Sequence, residues 1–349
     1  MRRKVRLPLR SPLVAVWLFV AAFMVVAMVF VGGATRLTES GLSITEWKPI
    51  SGVIPPMNDQ AWQAEFAGYK KIPQFSQINP NMKLEQFKGI YWWEWAHRLI
   101  ARLLGVVYLL GFVILLAMRE IPKRLIWRSA GLIALIGLQG AVGWWMVSSG
   151  LSKRVEVAPE RLMTHLSLAL LLLGATIWTA LEALNGEKRG RGAPAGWKVA
   201  TGLLLAVVFI QCMLGALVAG NNAGLIYNDW PLMNGHLFPS VDWSKGIGYS
   251  FLHDQGLVQF VHRMNAYLLL IFVTAFALVI TRKTNDDGLK TSSAVLATGV
   301  WIQAALGITT LVTVVSLGFA LAHQLVAACL VALAVGLMWM IARADRVFR

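Results

Sequence analysis

Hydrophobic and polar positions along this chain come in long apolar blocks separated by short charged segments, with little alternation. Uncharged stretches cover residues 11–35, 103–118, 129–151, 162–181, 199–218 and 264–281, followed by 291–342. A helix needs about 20 mostly apolar residues to cross the hydrocarbon of a bilayer. The last stretch, 52 residues long, must therefore hold two crossings, and Ser316-Leu317-Gly318 puts turn-favouring residues near its middle. Lipid cannot hydrogen-bond a free backbone, so a span must be a helix or part of a closed barrel. Continuous apolar runs exclude the barrel, whose strands alternate. The pattern predicts an all-α membrane protein with eight transmembrane helices.

The blocks repeat. Gly41-Leu42, Glu46-Trp47, Pro49 and Pro55 are echoed by Gly224-Leu225, Asp229-Trp230, Pro231 and Pro239, and Val31-Gly32-Gly33 is matched to Val218-Ala219-Gly220. Trp95-Ala96-His97-Arg98 matches Phe260-Val261-His262-Arg263. Spans three, five and seven share a Gln-x-x-x-Gly pattern: Gln139/Gly143, Gln211/Gly215 and Gln303/Gly307. A duplicated unit is expected, giving two homologous four-helix bundles as parallel repeats about an axis along the membrane normal. The N-terminal bundle takes residues 1–185, with a long outer loop at 35–95. The C-terminal bundle takes 198–349, after a cytoplasmic linker at 186–197.

Charge sets the orientation. Segments 2–10, 119–128, 185–198, 282–290 and 343–349 hold 19 of the 32 Lys and Arg residues. Positive charge near spans stays on the cytoplasmic side, so both termini are expected inside. The first apolar run, residues 13–34, is longer than the roughly 7–15 residues of a signal-peptide core and reads as a retained span. Only 14% of residues are charged, against about 25% in soluble domains. That excludes an ordinary soluble enzyme and a disordered chain. The net charge of +15 would suggest nucleic acid in a soluble protein. Here the charges sit in loops and form no basic face with interleaved aromatics, so no nucleic-acid partner is expected. Cys212 and Cys329 lie inside apolar runs and read as small buried residues, not as a disulfide or thiolate site.

Six histidines are present. His236 and His253 fall in the second outer loop. The other four, His97, His165, His262 and His323, each lie near the outer end of an even-numbered span, and no odd-numbered span has one. Within each half the pair is separated by one hairpin out and back, which returns the chain to the same depth. Neutral imidazole offers a nitrogen lone pair, and two facing imidazoles can bind haem iron axially between apolar helices. Structural zinc wants about four close ligands, which a pair per bundle does not supply.

Glu94 lies three residues before His97 on the same helix face, and Gln259 takes that place before His262. A carboxylate at the hydrocarbon boundary is a functional candidate, so this swap suggests one catalytic bundle and one electron-transfer bundle. Arg98 and Arg263 follow the two histidines and are candidates to pair with haem propionates, as are Arg36 and Arg102 more weakly. Trp92, Trp93, Trp95, Trp144 and Trp145 read as boundary anchors. In the outer loop, 58–71 and 83–89 could form short amphipathic helices, making the loop a cap or a partner surface.

The chain resembles the haem A synthases, membrane enzymes of cytochrome oxidase assembly. The resemblance spans nearly the whole length. It rests on Gly33-Ala34-Thr35-Arg36-Leu37-Thr38-Glu39-Ser40-Gly41-Leu42-Ser43-Ile44, Glu46-Trp47-Lys48-Pro49, Glu94-Trp95-Ala96-His97-Arg98, Asn228-Asp229-Trp230-Pro231-Leu232-Met233 and the His262/His323 pair. It implies oxidation of the C8 methyl of haem O to a formyl group, giving haem A for cytochrome oxidase in a bacterial inner membrane, with haem sites near the periplasmic side. His97 and His165 would hold the substrate haem, His262 and His323 would ligate a haem b cofactor, and Glu94 matches the catalytic carboxylate. Water is the expected oxygen source. Haem O synthase and cytochrome oxidase assembly factors are the expected partners, with homo-oligomers also open. No cysteine lies between residues 35 and 93, so the chain resembles the proteobacterial and mitochondrial subgroup, which lacks the loop cysteine pair. From the residues alone, a di-haem b-type electron carrier or quinol oxidoreductase stays open as the alternative. A transporter would need charged residues near mid-membrane, and the spans have none.

Overall fold

The structure is a computed structural model that describes residues 9–186 and 193–344. Arg2, Arg3, Lys4 and Arg6, residues 187–192 of the expected linker, and Arg346 and Arg349 lie outside the described residues. In chain order the α-helices are α1 (Pro12–Leu37), α2 (Asp59–Tyr69), α3 (Pro73–Gln77), α4 (Leu84–Ala117), α5 (Ile126–Ser148), α6 (Pro159–Asn185), α7 (Ala195–Gly220), α8 (Ile247–His253), α9 (Gln255–Lys283), α10 (Asp287–Val312) and α11 (Leu317–Arg343). Eight of them, α1, α4, α5, α6, α7, α9, α10 and α11, are long and apolar enough to cross a membrane. The expected all-α architecture with eight spans is observed.

Local sequence sets the helix ends. Ser11 Oγ accepts from the Val14 amide at 3.3 Å with Pro12 in the first turn, and Asp254 and Asp286 accept from Leu257 and Leu289 at 2.8 and 3.0 Å. Such caps each stabilise a helix start by about 1 kcal/mol. Asn58 caps α2 in the same way at 2.8 Å, so the amphipathic helix expected at 58–71 forms.

One expectation changes. The segment 83–89 is not a separate helix but the first turns of α4, which runs 34 residues. His97 is therefore the fourteenth residue of its helix, whereas His165, His262 and His323 are the seventh, eighth and seventh of theirs. The extra turns of α4 project past the apolar zone and carry Phe87 and Tyr91, which pack with Trp62, Phe66, Tyr69, Leu42 and Ile44 into a satellite core under the first loop. In the last connection the chain reverses through Val314 and Val315, both left-handed at φ 54° and 57°, and Gly318 is already helical. Branched residues avoid that conformation; the turn ends at Ser316, the N-cap of α11, so the break falls near Ser316-Leu317-Gly318 as expected but runs through the valines before it.

In the first half α1 packs on α4 and α6, and α5 on both of those. In the second, α7 packs on α9 and α11, and α10 on both of those. The halves meet through α6 with α7 and α11, and α1 with α11. Polar contacts fasten that seam at three depths. Arg36 bonds Glu156 at 2.8 Å and Asn222 at 2.9 Å. Gln324 donates to the Val29 carbonyl at 2.7 Å. Buried Glu182 on α6 pairs with Arg128 on α5 at 2.5 Å and with Arg343 on α11.

Candidate functional site: four imidazoles and two loop clamps

The four span histidines each meet a glycine on the preceding long helix. A Cβ on Gly143 would come within 2.9 Å of His165 Cε1, one on Gly215 within 3.2 Å of His262 Cε1, and one on Gly307 within 2.9 Å of His323 Cε1. A Cβ on Gly32 would lie 3.2 Å from His97 Nε2. Glycine is what lets an imidazole lie this close to a helix backbone. These contacts correct the repeat register. Gly32 corresponds to Gly215, 183 residues on, just as α1 ends at Leu37 and α7 at Gly220. Matching Val31-Gly32-Gly33 to Val218-Ala219-Gly220 was one helical turn out.

One turn before the glycine, a glutamine holds the histidine in three of the four places. Gln139, Gln211 and Gln303 donate through Nε2 to the carbonyls of His165, His262 and His323 at 3.1, 3.1 and 2.9 Å. The amide of Gln139 lies 3.2 Å from His165 Nδ1, and that of Gln211 lies 3.2 Å from His262 Nδ1. Asn265 donates to Gln211 Oε1 at 2.7 Å. The recurring Gln-x-x-x-Gly pattern is thus a histidine cradle, a role that spacing alone did not reveal.

The ring centroids of His262 and His323 are 6.5 Å apart, at 76° to each other. An imidazole nitrogen sits about 2.0–2.1 Å from a first-row metal, so two axial rings on one iron have centroids about 6.3 Å apart. Near that pair Gln303 Oε1, His323 Nδ1 and Arg263 Nε are buried without a partner, as is Gln139 Oε1 beside His165 in the other half, and such atoms are rare unless a further group satisfies them. Among the described residues no group of three or more His, Cys, Asp or Glu could hold a metal. Paired imidazoles with apolar walls and a spare guanidinium N–H suit a six-coordinate iron porphyrin with its propionates.

Glu94 is 2% exposed, and four donors converge on it. Oε2 accepts from Ser43 Oγ and the Ile44 amide, both at 2.7 Å, and Oε1 accepts from Arg98 Nε and Nη2 at 3.1 and 2.6 Å. Arg98 also donates to the carbonyls of Ile44 and Glu46 at 2.8 and 3.0 Å. One turn further, Arg102 donates to those of Lys48 and Pro49, both at 2.8 Å. The first loop is thus clamped to α4 by the residues that sequence singled out for chemistry.

The second half repeats the clamp. Gln259 donates to the Ala223 carbonyl at 2.8 Å and accepts from Arg263 Nη2 at 3.0 Å. Arg263 donates to the carbonyls of Leu232, Tyr227 and Asp229 at 2.9, 3.1 and 3.2 Å. Amides of Asn234 and Gly235 bond the Asp229 carboxylate and hold its pKa below the ordinary value. Between the first loop and α4 lies a cavity of about 410 Å³, bordered by Lys48, Glu65, Tyr91, Arg98 and Arg102. Arg102 Nη1 is buried and unpartnered. His236 and His253 stay in the second loop, where His253 stacks on Tyr249 at 4.4 Å. Cys212 and Cys329 are both free thiols, but Cys212 is half-buried and Cys329 exposed on its helix, so the expectation that both are buried does not hold.

Residues 15–335 match the family model described as cytochrome oxidase assembly protein. The chain belongs to the haem A synthase family. It is 53% identical over 337 residues to a haem A synthase of Caulobacter vibrioides, covering 96% of this chain and 97% of that protein. A haem A synthase of Caulobacter sp. (strain K31) is 55% identical over 338 residues, with the same coverage. One from Bradyrhizobium diazoefficiens is 48% identical over 327 residues, covering 91% and 89%.

Proposed function

We propose that this chain oxidises the C8 methyl of haem O to a formyl group, making haem A for cytochrome oxidase. The observation that carries the reading is the set of four histidines, two per half, each set against a glycine of the preceding long helix, with the His262 and His323 rings spaced for one iron. The two halves act as four-helix bundles, residues 1–185 and 198–349. His97 and His165 bind the substrate, and His262 and His323 hold haem b. Arg98 and Arg263 stand beside these pairs at the depth suited to propionates. Both termini face the cytoplasm, and the sites lie near the periplasmic side of a bacterial inner membrane.

The overall change is R–CH3 + H2O → R–CHO + 4 H⁺ + 4 e⁻. Two hydroxylations with water as oxygen source give a gem-diol, which loses water to leave the aldehyde. A haem b held by His262 and His323 would supply electron transfer toward a membrane acceptor. The chain itself must orient the methyl, limit water and accept protons. Glu94 is the proton acceptor. Ser43 Oγ is the one donor to it that can also accept a hydrogen bond, so it can pass a proton from water to Oε2. The clamp on residues 43–49 keeps this pair under the loop and away from bulk solvent. Haem O synthase and assembly factors of the oxidase are the expected partners for delivery and release.

Extraction and chromatography of haems from the purified protein test the assignment. Haem O or haem A is expected beside haem b in the wild type, with the haem O and haem A fraction lost in His97→Ala and haem b lost in His262→Ala. Haem b alone at both sites of a folded wild-type preparation would instead identify a di-haem electron carrier.

A further inference from the structure

Four hairpins of this protein carry the same device, and one copy is incomplete. At each, a glycine on the earlier helix faces a histidine on the later one. One turn before the glycine stand Gln139, Gln211 and Gln303 in three copies, each bonded to its histidine. In the α1–α4 copy the corresponding residue is Met28. A thioether cannot donate a hydrogen bond, and His97 makes no side-chain hydrogen bond among the described residues. Its ring is also turned differently. The three cradled rings present Cε1 to their glycines, whereas His97 presents its Nε2–Cδ2 edge to Gly32.

Each glutamine fastens its histidine's main chain to the neighbouring helix, and in the Gln139 and Gln211 copies the same amide also lies 3.2 Å from ring Nδ1. A link of this kind limits how far the ring and its helix can move and so makes a ligand harder to displace. A resident cofactor benefits from two tethered ligands. A substrate that must enter and a product that must leave require at least one iron–nitrogen bond that breaks readily. We infer that His97 is the exchangeable ligand of the four, and that Met28, by withholding the tether, makes the N-terminal site releasable. Met28 is thus a positioning residue acting through His97. The inference rests on the proposed haem sites.

The test uses the full chain, purified in detergent with its haems and reduced with dithionite. Carbon monoxide is mixed in, and visible absorption follows displacement of an axial imidazole, a step limited by breaking the iron–nitrogen bond. Two phases are expected in the wild type. Met28→Gln should slow the fast phase and Gln211→Met should speed the slow phase, each by about ten-fold, the lower end of what loss of such a partner does to metal affinity. Either shift supports the inference, so one variant suffices if the other does not fold. Low-spin haems with both phases unmoved in the folded variants overturn it and leave the haem reading standing. A wild-type protein without six-coordinate, low-spin haem defeats the haem reading itself, and this inference with it.

Discussion

Glu94→Gln puts the most specific demand on the site, because the other half of the molecule shows what a glutamine does there. The carboxylate takes two bonds from Arg98 on one oxygen and two from Ser43 and Ile44 on the other. A glutamine keeps one oxygen and replaces the other with an NH2 group. Whichever way it turns, that group meets donors. Two bonds are lost and a guanidinium is left without its anion. Removing one partner of a buried pair costs about 3–5 kcal/mol. Arg98 retains its two carbonyl acceptors and its side chain is 18% exposed, so about 2–3 kcal/mol is the appropriate part of that cost, with each bond to a charged group contributing about 1.5–3 kcal/mol. The loss falls on the attachment of residues 43–49 to α4. Hydrogen exchange at the Ile44 amide, read by mass spectrometry on protein in lipid nanodiscs, should then speed up about 30- to 150-fold, since 1.4 kcal/mol is tenfold. Ile44 protection within about three-fold of wild type would refute the reasoning that Glu94 holds the loop. Loss of haem A output in this variant therefore has two sources. Ser43→Ala, which removes one donor and leaves the ion pair, separates them.

Further outcomes follow from the same contacts. Gly307→Ala should disturb the His323 site more than Gly215→Ala disturbs that of His262, because the added Cβ meets the ring at 2.9 Å instead of 3.2 Å. Gly137→Ala, with open space around it, should be neutral, and bound-haem absorbance ranks the three. Glu182→Gln leaves Arg128 and Arg343 facing each other without a carboxylate; because the Arg128 side chain is 42% exposed, the loss should be about 2–3 kcal/mol, below the full cost of breaking a buried pair, read as a fall in Tm in detergent with the haem spectrum retained in the folded fraction. The Asp229 carboxyl is held below its ordinary value by the Asn234 and Gly235 amides. Its contribution to the second loop is therefore complete above the unfolded value and disappears as pH falls through the depressed one. Pepsin nicking within residues 229–237 should rise as pH drops below about 4, and a flat pH profile would count against the turn.

The eight spans and the alternation of histidines were legible because both are properties of a one-dimensional pattern: apolar length and residue type by span parity. The start of α4 was not. Lys88, Glu94, Arg98 and Arg102 interrupt its apolar count, yet all four meet the first loop, so charge there marks a tertiary contact and not the end of a helix. The duties of Glu94, Arg98, Gln259 and Arg263 as loop clamps were hidden for the same reason. Their partners are main-chain carbonyls and amides some 30 to 55 residues away, and a carbonyl has no signature in sequence. The repeat slipped by one turn in α1 because glycine was matched to glycine, whereas the position that matters is the one facing the imidazole. The route of the last reversal through Val314-Val315 was equally hidden, since nothing local favours two left-handed valines.

Duplication explains what the halves share, so their differences are the informative part. The framework is retained in both: a glycine behind each histidine, an arginine after the first histidine of each half, and loop carbonyls gathered by that arginine. Two departures fall on the same helix pair. Glu94 stands where the other half has Gln259, and Met28 where it has Gln211. Both lie on α1 and α4, around His97, and both alter how a ligand or a proton is held while leaving the fold intact. A site that only stores a group gains from full tethering and neutral partners, as around His262. A site that changes its group and lets it go needs an acid–base residue and a weak point in its grip. In the proposed reading both belong to the N-terminal half, Glu94 as the first and His97 as the second, so the exchange kinetics of His97 and the loop protection around Glu94 should change independently of each other and of the His262–His323 pair.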